Sequence, residues 1–443
     1  MRFNFRLLMG LCGLVATAGV EGGTYVLKPG DSYQVLEAAQ PGDIVEIAPG
    51  TYRFRVYLTK QGSAANPVII RAQDPANRPV WDLGGRNADQ WPGSYTANDR
   101  GRGAWQINGR GYTIMNIVFR NTTNGVNAAG LRIVGGSDIT IKNCLFELND
   151  NGIAGKGENV LVEFCEMDRN GRPGSSQMTH NVYNFGGSWT IRNCYLHDPT
   201  HGQNFHLRAR DALIENCWIA RAKSYEGDIM PGTDPNHKLT LKGNVIIQNA
   251  TPGNKNKIFD LYNDTGGTGI RMQLNLFYNT IIGNGGPACL VSIHNAGLQF
   301  GGVTASNNIV YNLKTAQANQ GGSNWSFTGS NNWFPAGSDV AGLARTVFGT
   351  DPGFRNLSDD DLALLPGGAA VGKADPNAGG AAGVPGKEWY KDEVTILRYR
   401  TRSASKDLGA FESTTNTVDL GPEEVPLADT TPPLPPRNLR IVQ

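Results

Sequence analysis

The run Thr190-Ile191-Arg192-Asn193-Cys194-Tyr195-Leu196 decides the fold once it is laid against the rest of the chain. A short β-branched strand reaches an Asn, a small or branched apolar residue follows, and more apolar residues come after it. The phrase returns at Asn116-Ile117-Val118, Asn143-Cys144-Leu145, Phe164-Cys165-Glu166, Asn216-Cys217-Trp218, Asn244-Val245-Ile246, Asn279-Thr280-Ile281 and Asn308-Ile309-Val310. With Asn193 in its place, successive phrases are 27, 21, 29, 23, 28, 35 and 29 residues apart. A loose period of this size, with short strands and Gly/Asn turns, marks a solenoid in which each coil buries its apolar residues against its neighbours. The Asn is expected at a turn, where it can adopt left-handed geometry or hydrogen-bond the stacked backbone, with the next residue pointing into the core. Ile117, Cys144, Cys165, Cys194, Cys217, Val245 and Ile309 are therefore expected to form one inward column, its cysteines acting as inert small hydrophobes.

Composition agrees with an all-β chain. Of 443 residues, 57 are Gly and 24 Pro, a density of turn formers that argues against long helices. The formal charge is +1, so the overall balance gives no basic surface for a nucleic acid, and any anion must be met locally. At the N-terminus, Arg2 and Arg6 precede the apolar run Leu7 to Val15 and the small-x-small site Ala16-Thr17-Ala18, which predicts a signal peptide over 1–18 and export. The run is far short of the ~20 residues that span a bilayer, and nothing later is longer, so a secreted or periplasmic, membrane-free monomer is expected. Removing Cys12 leaves five cysteines, an odd number that cannot all pair within the chain.

Gly22 to Tyr52 reads as an N-terminal cap with a short helix from Asp31 to Ala39, Asp31 or Ser32 as its N-cap, and a strand from Ile44 to Ile47. The Gly/Ala/Pro tract from Gly367 to Gly386 should lie outside the regular coils, and Asp407-Leu408-Gly409-Ala410-Phe411-Glu412 should be a last strand. The solenoid domain is thus placed at 19–414, and the Pro-rich stretch at 415–443 is expected to be an extended tail.

The cap phrases Pro41-Gly42-Asp43-Ile44-Val45 and Pro49-Gly50-Thr51-Tyr52, the stretch Gly62-Ser63-Ala64-Ala65-Asn66-Pro67-Val68-Ile69-Ile70, the Asn-Cys coils and the Asp-Leu-Gly-Ala-Phe-Glu ending together resemble the secreted right-handed parallel β-helix proteins of the pectate-lyase-like superfamily. The resemblance covers roughly residues 20 to 413 and implies a right-handed parallel β-helix with an N-terminal capping helix. For activity it implies less, since lyases, hydrolases, epimerases and adhesins share that scaffold.

A second register matches Gly130-Leu131, Gly152-Ile153, Asn181-Val182, Asn204-Phe205, Asp228-Ile229, Ile258-Phe259 and Ser292-Ile293. With the second member of each pair inward, the following residue faces out, because strand side chains alternate. The outward column then reads Arg132, Ala154, Tyr183, His206, Met230, Asp260 and His294, with Asn181, Asn204 and Asp228 beside it and Arg208 and Arg210 further along the His206 strand. These residue types suit β-elimination on a uronic-acid polymer, which needs a group to neutralise the carboxylate, a base for the adjacent proton and an acid for the leaving oxygen. In that reading His206 is the base, Tyr183 the acid and Arg208 the carboxylate partner. Asn181, Asn204, Arg210, Lys223, Arg132 and His294 line the substrate.

Some of the lyases this chain resembles carry Gly-His-Asn-apolar-Lys-Ser-Arg-Ala where it has Gly202-Gln203-Asn204-Phe205-His206-Leu207-Arg208-Ala209. The Asn and Arg are kept, but His206 stands in place of the Lys, which leaves Lys223 as a reserve base. Glu226, Asp228, Asp234, Asp260 and Asp264 form an acidic group on consecutive coils. Glu226, Asp228 and Asp260 suit Ca²⁺, which related lyases use to bind the substrate carboxylate. Asp228 and Asp260 would also suit an inverting glycosidase, and a non-catalytic glycan-binding or adhesive module is the third reading.

Overall fold

In a computed structural model the chain is described at residues 22–95, 102–124, 128–174, 178–250, 256–264, 269–294, 301–319, 326–378, 383–389, 399–402, 406–413 and 419–420. The expected signal peptide and most of the 415–443 tail lie outside these residues. Parallel strands stack rung on rung into two large sheets, of 20 and 12 strands among the described residues. The larger sheet contains two ladders joined by Ile153–Glu163 and Val182–Arg192, which run through both. Among the described residues every strand pairing in these two sheets is parallel, as expected when each coil advances by one rung.

The turn column follows from the local chemistry of Asn. Asn116, Asn143, Asn193, Asn216, Asn307 and Asn331 all have φ between 50° and 61°, left-handed geometry that Asn tolerates better than most residues. The next residue enters the core: Ile117, Cys144, Cys165, Cys194 and Cys217 are buried, and their thiols are free. The Cys144 and Cys165 amides donate to the Sγ of the next coil's cysteine, each at 3.4 Å.

Beyond Cys217 the expected column is off by one residue. Trp218 pairs with Val245, so Asn244, not Val245, continues the inward line. The left-handed position has moved to Gly243 (φ 66°), where glycine carries no Cβ penalty. Asn244 begins an amide ladder that takes over from the thiols. It accepts from the Cys217 amide at 2.8 Å and donates to Asn279 at 2.9 Å, which donates to Asn308 at 3.0 Å, which donates to Asn332 at 2.9 Å. Val245 and Ile309 face outward and are buried for another reason: Phe354, Leu362, Leu364, Leu408, Ala410 and Phe411 pack over them and Trp333.

That packing corrects the expected last strand. Asp407–Glu412 forms turns on the outer face of the 12-stranded sheet, with the Gly409 amide on the Asn307 carbonyl at 2.8 Å and the Ala410 amide on Thr280 Oγ1 at 2.9 Å. Residues 367–378 lie in turns outside the coils, and Asp419–Leu420, inside the expected tail, pairs with Tyr399–Thr401.

At the other end the capping helix is shorter than expected, Gln34–Ala38, with Tyr33 at the N-cap and no side-chain cap. Asp31 accepts instead from the Lys28 amide at 2.7 Å, and Ser32 from the Gln34 amide at 3.3 Å. Asp43 explains the phrase that contains it. Its buried carboxylate accepts from the Gly23 and Gln40 amides, both at 2.7 Å, and so ties the strands Thr24–Leu27 and Ile44–Ile47 to the turn between helix and sheet. Among the described residues no helix is long and apolar enough to cross a membrane.

Candidate active site

One outward column on the larger sheet carries chemistry. Cα pairing runs Gln106–Arg132–Ala154–Tyr183–His206–Asp228–Asp260–Ser292 across consecutive rungs. Tyr183 and His206 are rung neighbours with ring centroids 4.7 Å apart in an edge-on arrangement. The next neighbours differ from expectation by two residues. Asp228 lies beside His206, where Met230 was expected, and Ser292 lies beside Asp260, where His294 was expected. Met230 is one step further out, and His294 is at the strand end opposite Tyr262, with a side chain outside the described set.

The cause at Asp228 is steric. The inward position opposite Phe205 is Gly227, whose absent Cβ would lie 2.2 Å from the Phe205 ring, so Phe205 fills the core space and the rung shows no apolar residue there. The slip keeps inward and outward parity but brings a carboxylate to the imidazole.

His206 Nδ1 lies 3.1 Å from Asp228 Oδ2, both side chains almost wholly buried. That contact puts the ring proton on Nδ1 and leaves Nε2 as a lone pair. Nε2 is buried without a hydrogen-bond partner, as are Asp228 Oδ1, Gln203 Oε1, Ser224 Oγ and Ser292 Oγ. Orphaned buried polar atoms are uncommon in native folds, and this neighbourhood gathers several.

A second polar row lies three residues before the column, at the start of the same rungs, and the sequence pattern did not single it out: His180, Gln203, Tyr225 and Lys257, all buried. The His180 ring is 5.0 Å from His206 and 5.1 Å from Tyr183. Burial, then the neighbouring His206 and His201, hold the His180 imidazole well below its ordinary range. Lys257 Nζ bonds Asp260 Oδ2 at 2.7 Å and lies 4.7 Å from the centre of the Tyr225 ring. Burial, then the charges of Asp228 and Asp260, raise the Tyr225 phenol far above its usual value. A lysine at a strand start reads as surface in a sequence, and only the stacking of coils turns it inward.

Several predicted site residues have other roles. Arg208 is held by both oxygens of Asp264, at 2.8 and 2.5 Å, and by the Pro231 carbonyl at 3.1 Å, so its charge is already met. It also reaches Tyr183. Asn181 and Asn204 face inward in a buried chain of amides: Asn170 donates to Asn181 at 2.9 Å, Asn181 to Asn204 at 2.8 Å, and Asn204 to Glu226 at 2.6 Å. They support the coil and do not touch a ligand on the outer face.

Glu226 ends that chain, its carboxyl also accepting from the Ala222 amide, so the trio Glu226, Asp228 and Asp260 does not converge on a cation. Asp228 and Asp260 are taken by His206 and Lys257, and the calcium site expected from these residues is not assembled. Arg210 pairs with Glu158 on the surface at 2.8 Å, and Lys223 is exposed on a turn. Arg132 keeps its predicted column position, its guanidinium 5.1 Å from the Phe185 ring centre.

Among the described residues one cluster has metal-like spacing. Atoms of Asp168, His197 and Asp198 lie within 4.8 Å of one another. Arg221 holds both Asp198 oxygens, at 2.8 and 2.7 Å, and His197 also meets Glu166 at 3.1 Å, so the charges close as an ion-pair network on the smaller sheet.

With this geometry in place, the comparisons with known proteins are informative about architecture. A family model described as "Right handed beta helix region" matches residues 96–253. Among solved structures the chain is similar to pectate lyase Pel9A, at 16% identity over 89% of this chain and 98% of that one, with a TM-score of 0.52. It is also similar to an alginate lyase from Paenibacillus sp. str. FPU-7 (12% identity, 69% and 97% covered, TM-score 0.48) and to a lacto-N-biosidase from Eubacterium ramulus (12%, 73% and 67%, TM-score 0.45). No curated protein matches the sequence. The chain is a right-handed parallel β-helix protein. Its fold is similar to that of pectate lyase Pel9A.

Proposed function

We propose that the chain is an exported polysaccharide lyase that cleaves a uronate-containing glycan by β-elimination at the Tyr183–His206–Asp228 row. The observation that carries this reading is the His206–Asp228 contact, with an unpartnered Nε2 on the outer face of the solenoid beside a tyrosine. A carboxylate on Nδ1 fixes the tautomer and supports the imidazolium that forms when Nε2 takes a proton. Tyr183 is the neighbouring acid for the leaving glycosidic oxygen, and Arg208, anchored by Asp264, lies beside its phenol. Arg132, two rungs from Tyr183 along the same column across the small Ala154, is the residue assigned to meet the uronate carboxylate. The similarity to pectate lyase Pel9A supports the scaffold on which such a row can work.

The hydrolase reading is weaker because Asp228 and Asp260 each already hold a cationic or imidazole partner, which leaves neither free to activate a water. A screen of pectate, alginate, glycosaminoglycans and neutral glycans, followed by the ultraviolet absorbance of an unsaturated uronide, tests the proposal. Absorbance growth with one of the uronate polymers is expected. New reducing ends without absorbance would replace it with hydrolysis, and binding without either would make the chain a glycan-binding module.

A further inference from the structure

Around the corner from the site, the second ladder of the larger sheet presents an open face along which two grooves adjoin. One, of about 410 Å³, is lined by residues that include Ser188, Thr190, Asp211, Lys238, Thr240 and Lys242. The other, of about 370 Å³, shares Asp211 and Lys238 and adds Arg210, Arg271, Gln273 and Gly301. Their lining crosses six successive rungs, at Asn159, Ser188, Asp211, Lys238, Gln273 and Gly301, so together they run about 24 Å along the solenoid axis at ~4.8 Å per rung. The segment from Pro231 to Asn236 separates them from the candidate active site. It is pinned by buried His237, whose ring nitrogens contact the Ala209 and Asp234 carbonyls, both at 2.8 Å.

The charges in this lining are lopsided: Arg210, Lys238, Lys242 and Arg271 against the single carboxylate of Asp211. Two of the cations are answered from outside the grooves, Arg210 by Glu158 and Lys242 by Glu215 at 2.9 Å. Lys238 and Arg271 are exposed on neighbouring rungs and form no ion pair among the described residues. Hydroxyl and amide side chains lie between the cations at rung spacing: Thr190, Thr240, Asn275 and Thr304 share one outward column with Leu213. An open trough of this length, cationic and lined with hydrogen-bonding groups, suits an extended chain that repeats negative charges and hydroxyls better than a small molecule, which an enclosed pocket would hold.

We propose that this face is a second, non-catalytic binding surface for an anionic polysaccharide, with Lys238 and Arg271 as its charge-reading residues. It does not depend on the chemistry assigned to His206. The test is affinity electrophoresis of the full chain in gels containing polygalacturonate, alginate or neutral dextran, with wild type, Lys238→Ala/Arg271→Ala, Lys238→Glu/Arg271→Glu and His206→Ala. Circular dichroism melts confirm folding, and Lys238→Gln and Arg271→Gln singly replace either double variant that does not fold.

The expected result is retention by an anionic polymer that falls about fivefold or more in the alanine pair, falls further in the glutamate pair, weakens with salt and persists in His206→Ala. Retention that stays within twofold in both pairs, that weakens equally for dextran, or that is absent for both anionic polymers in the wild type would overturn it. Product formation is scored separately. Cleavage without groove-dependent retention sinks this proposal alone, and groove-dependent retention without cleavage sinks the lyase reading alone.

Discussion

Replacing Glu226 by Gln isolates one buried carboxyl whose titration should be visible in the stability of the whole coil. The carboxyl is fully buried, and burial pushes its pKa up to about 8, although the Asn204 and Ala222 donors pull the other way. In the unfolded chain it titrates near 4.3. The folded state therefore keeps a proton that the unfolded state has lost, throughout the interval between those values. Stability present below about pH 4.3 is lost as pH rises through about 8, at roughly 1.4 kcal/mol per pH unit while the protonation states differ. Integrated over the interval, this has an upper bound of about 5 kcal/mol, and relaxation around the site makes a loss of a few kcal/mol the working expectation. Glutamine mimics the protonated acid, so Glu226→Gln should gain stability relative to wild type between pH 5 and 8. Denaturant unfolding of both proteins at pH 5, 6.5 and 8 measures this. Parallel dependence of the two midpoints on pH would refute the placement of Glu226 as a buried, proton-holding end of the amide chain.

Three further outcomes follow from the packing. Cys144, Cys165 and Cys194 should not react with Ellman's reagent in the native protein and should react after denaturation, since burial raises all three thiols well above their usual range. Phe411→Ala should cost about 3 kcal/mol in denaturant unfolding, because its ring helps seal the apolar face formed by Val245, Ile309 and Trp333; a change under 1 kcal/mol would mean the segment is not docked there. Asn279→Ala should cost about 2–4 kcal/mol, since it removes the acceptor of the Asn244 backbone amide on one side and the side-chain donor to the Leu241 carbonyl on the other, and a neutral effect would contradict the ladder.

The coil was legible because its period is written in residues with one local preference each: Asn at the left-handed turn, then a small inward residue. The reading went astray where another residue could do the same job. Gly243 takes the turn as readily as Asn, which pushed Asn244 inward and Val245 outward without changing the apparent phrase. Gly227 left an inward position silent because Phe205 occupies its space, so Asp228 read as lying beside the outward column when it belongs to it, next to His206. At Val291 and Ile293 both alternate residues face inward, and nothing in the local pattern said which of them opposes Phe259. Lys257 and Tyr225 carried no periodic signal, since they precede their strands' alternating stretch and become neighbours only when coils stack. Arg208 was legible as a cation near the site but not as one already held, because Asp264 comes from a rung 56 residues away.

The central claim is that His206 and Tyr183 perform a proton abstraction and a proton delivery on a uronate polymer. The most direct measurement is the initial rate of unsaturated-uronide formation, at fixed saturating polymer, for wild type, His206→Ala and Tyr183→Phe, with polymer binding measured alongside. Rates lower by about 10²–10⁴-fold in each variant, with binding retained, are predicted. Wild-type rates in both variants would contradict the account.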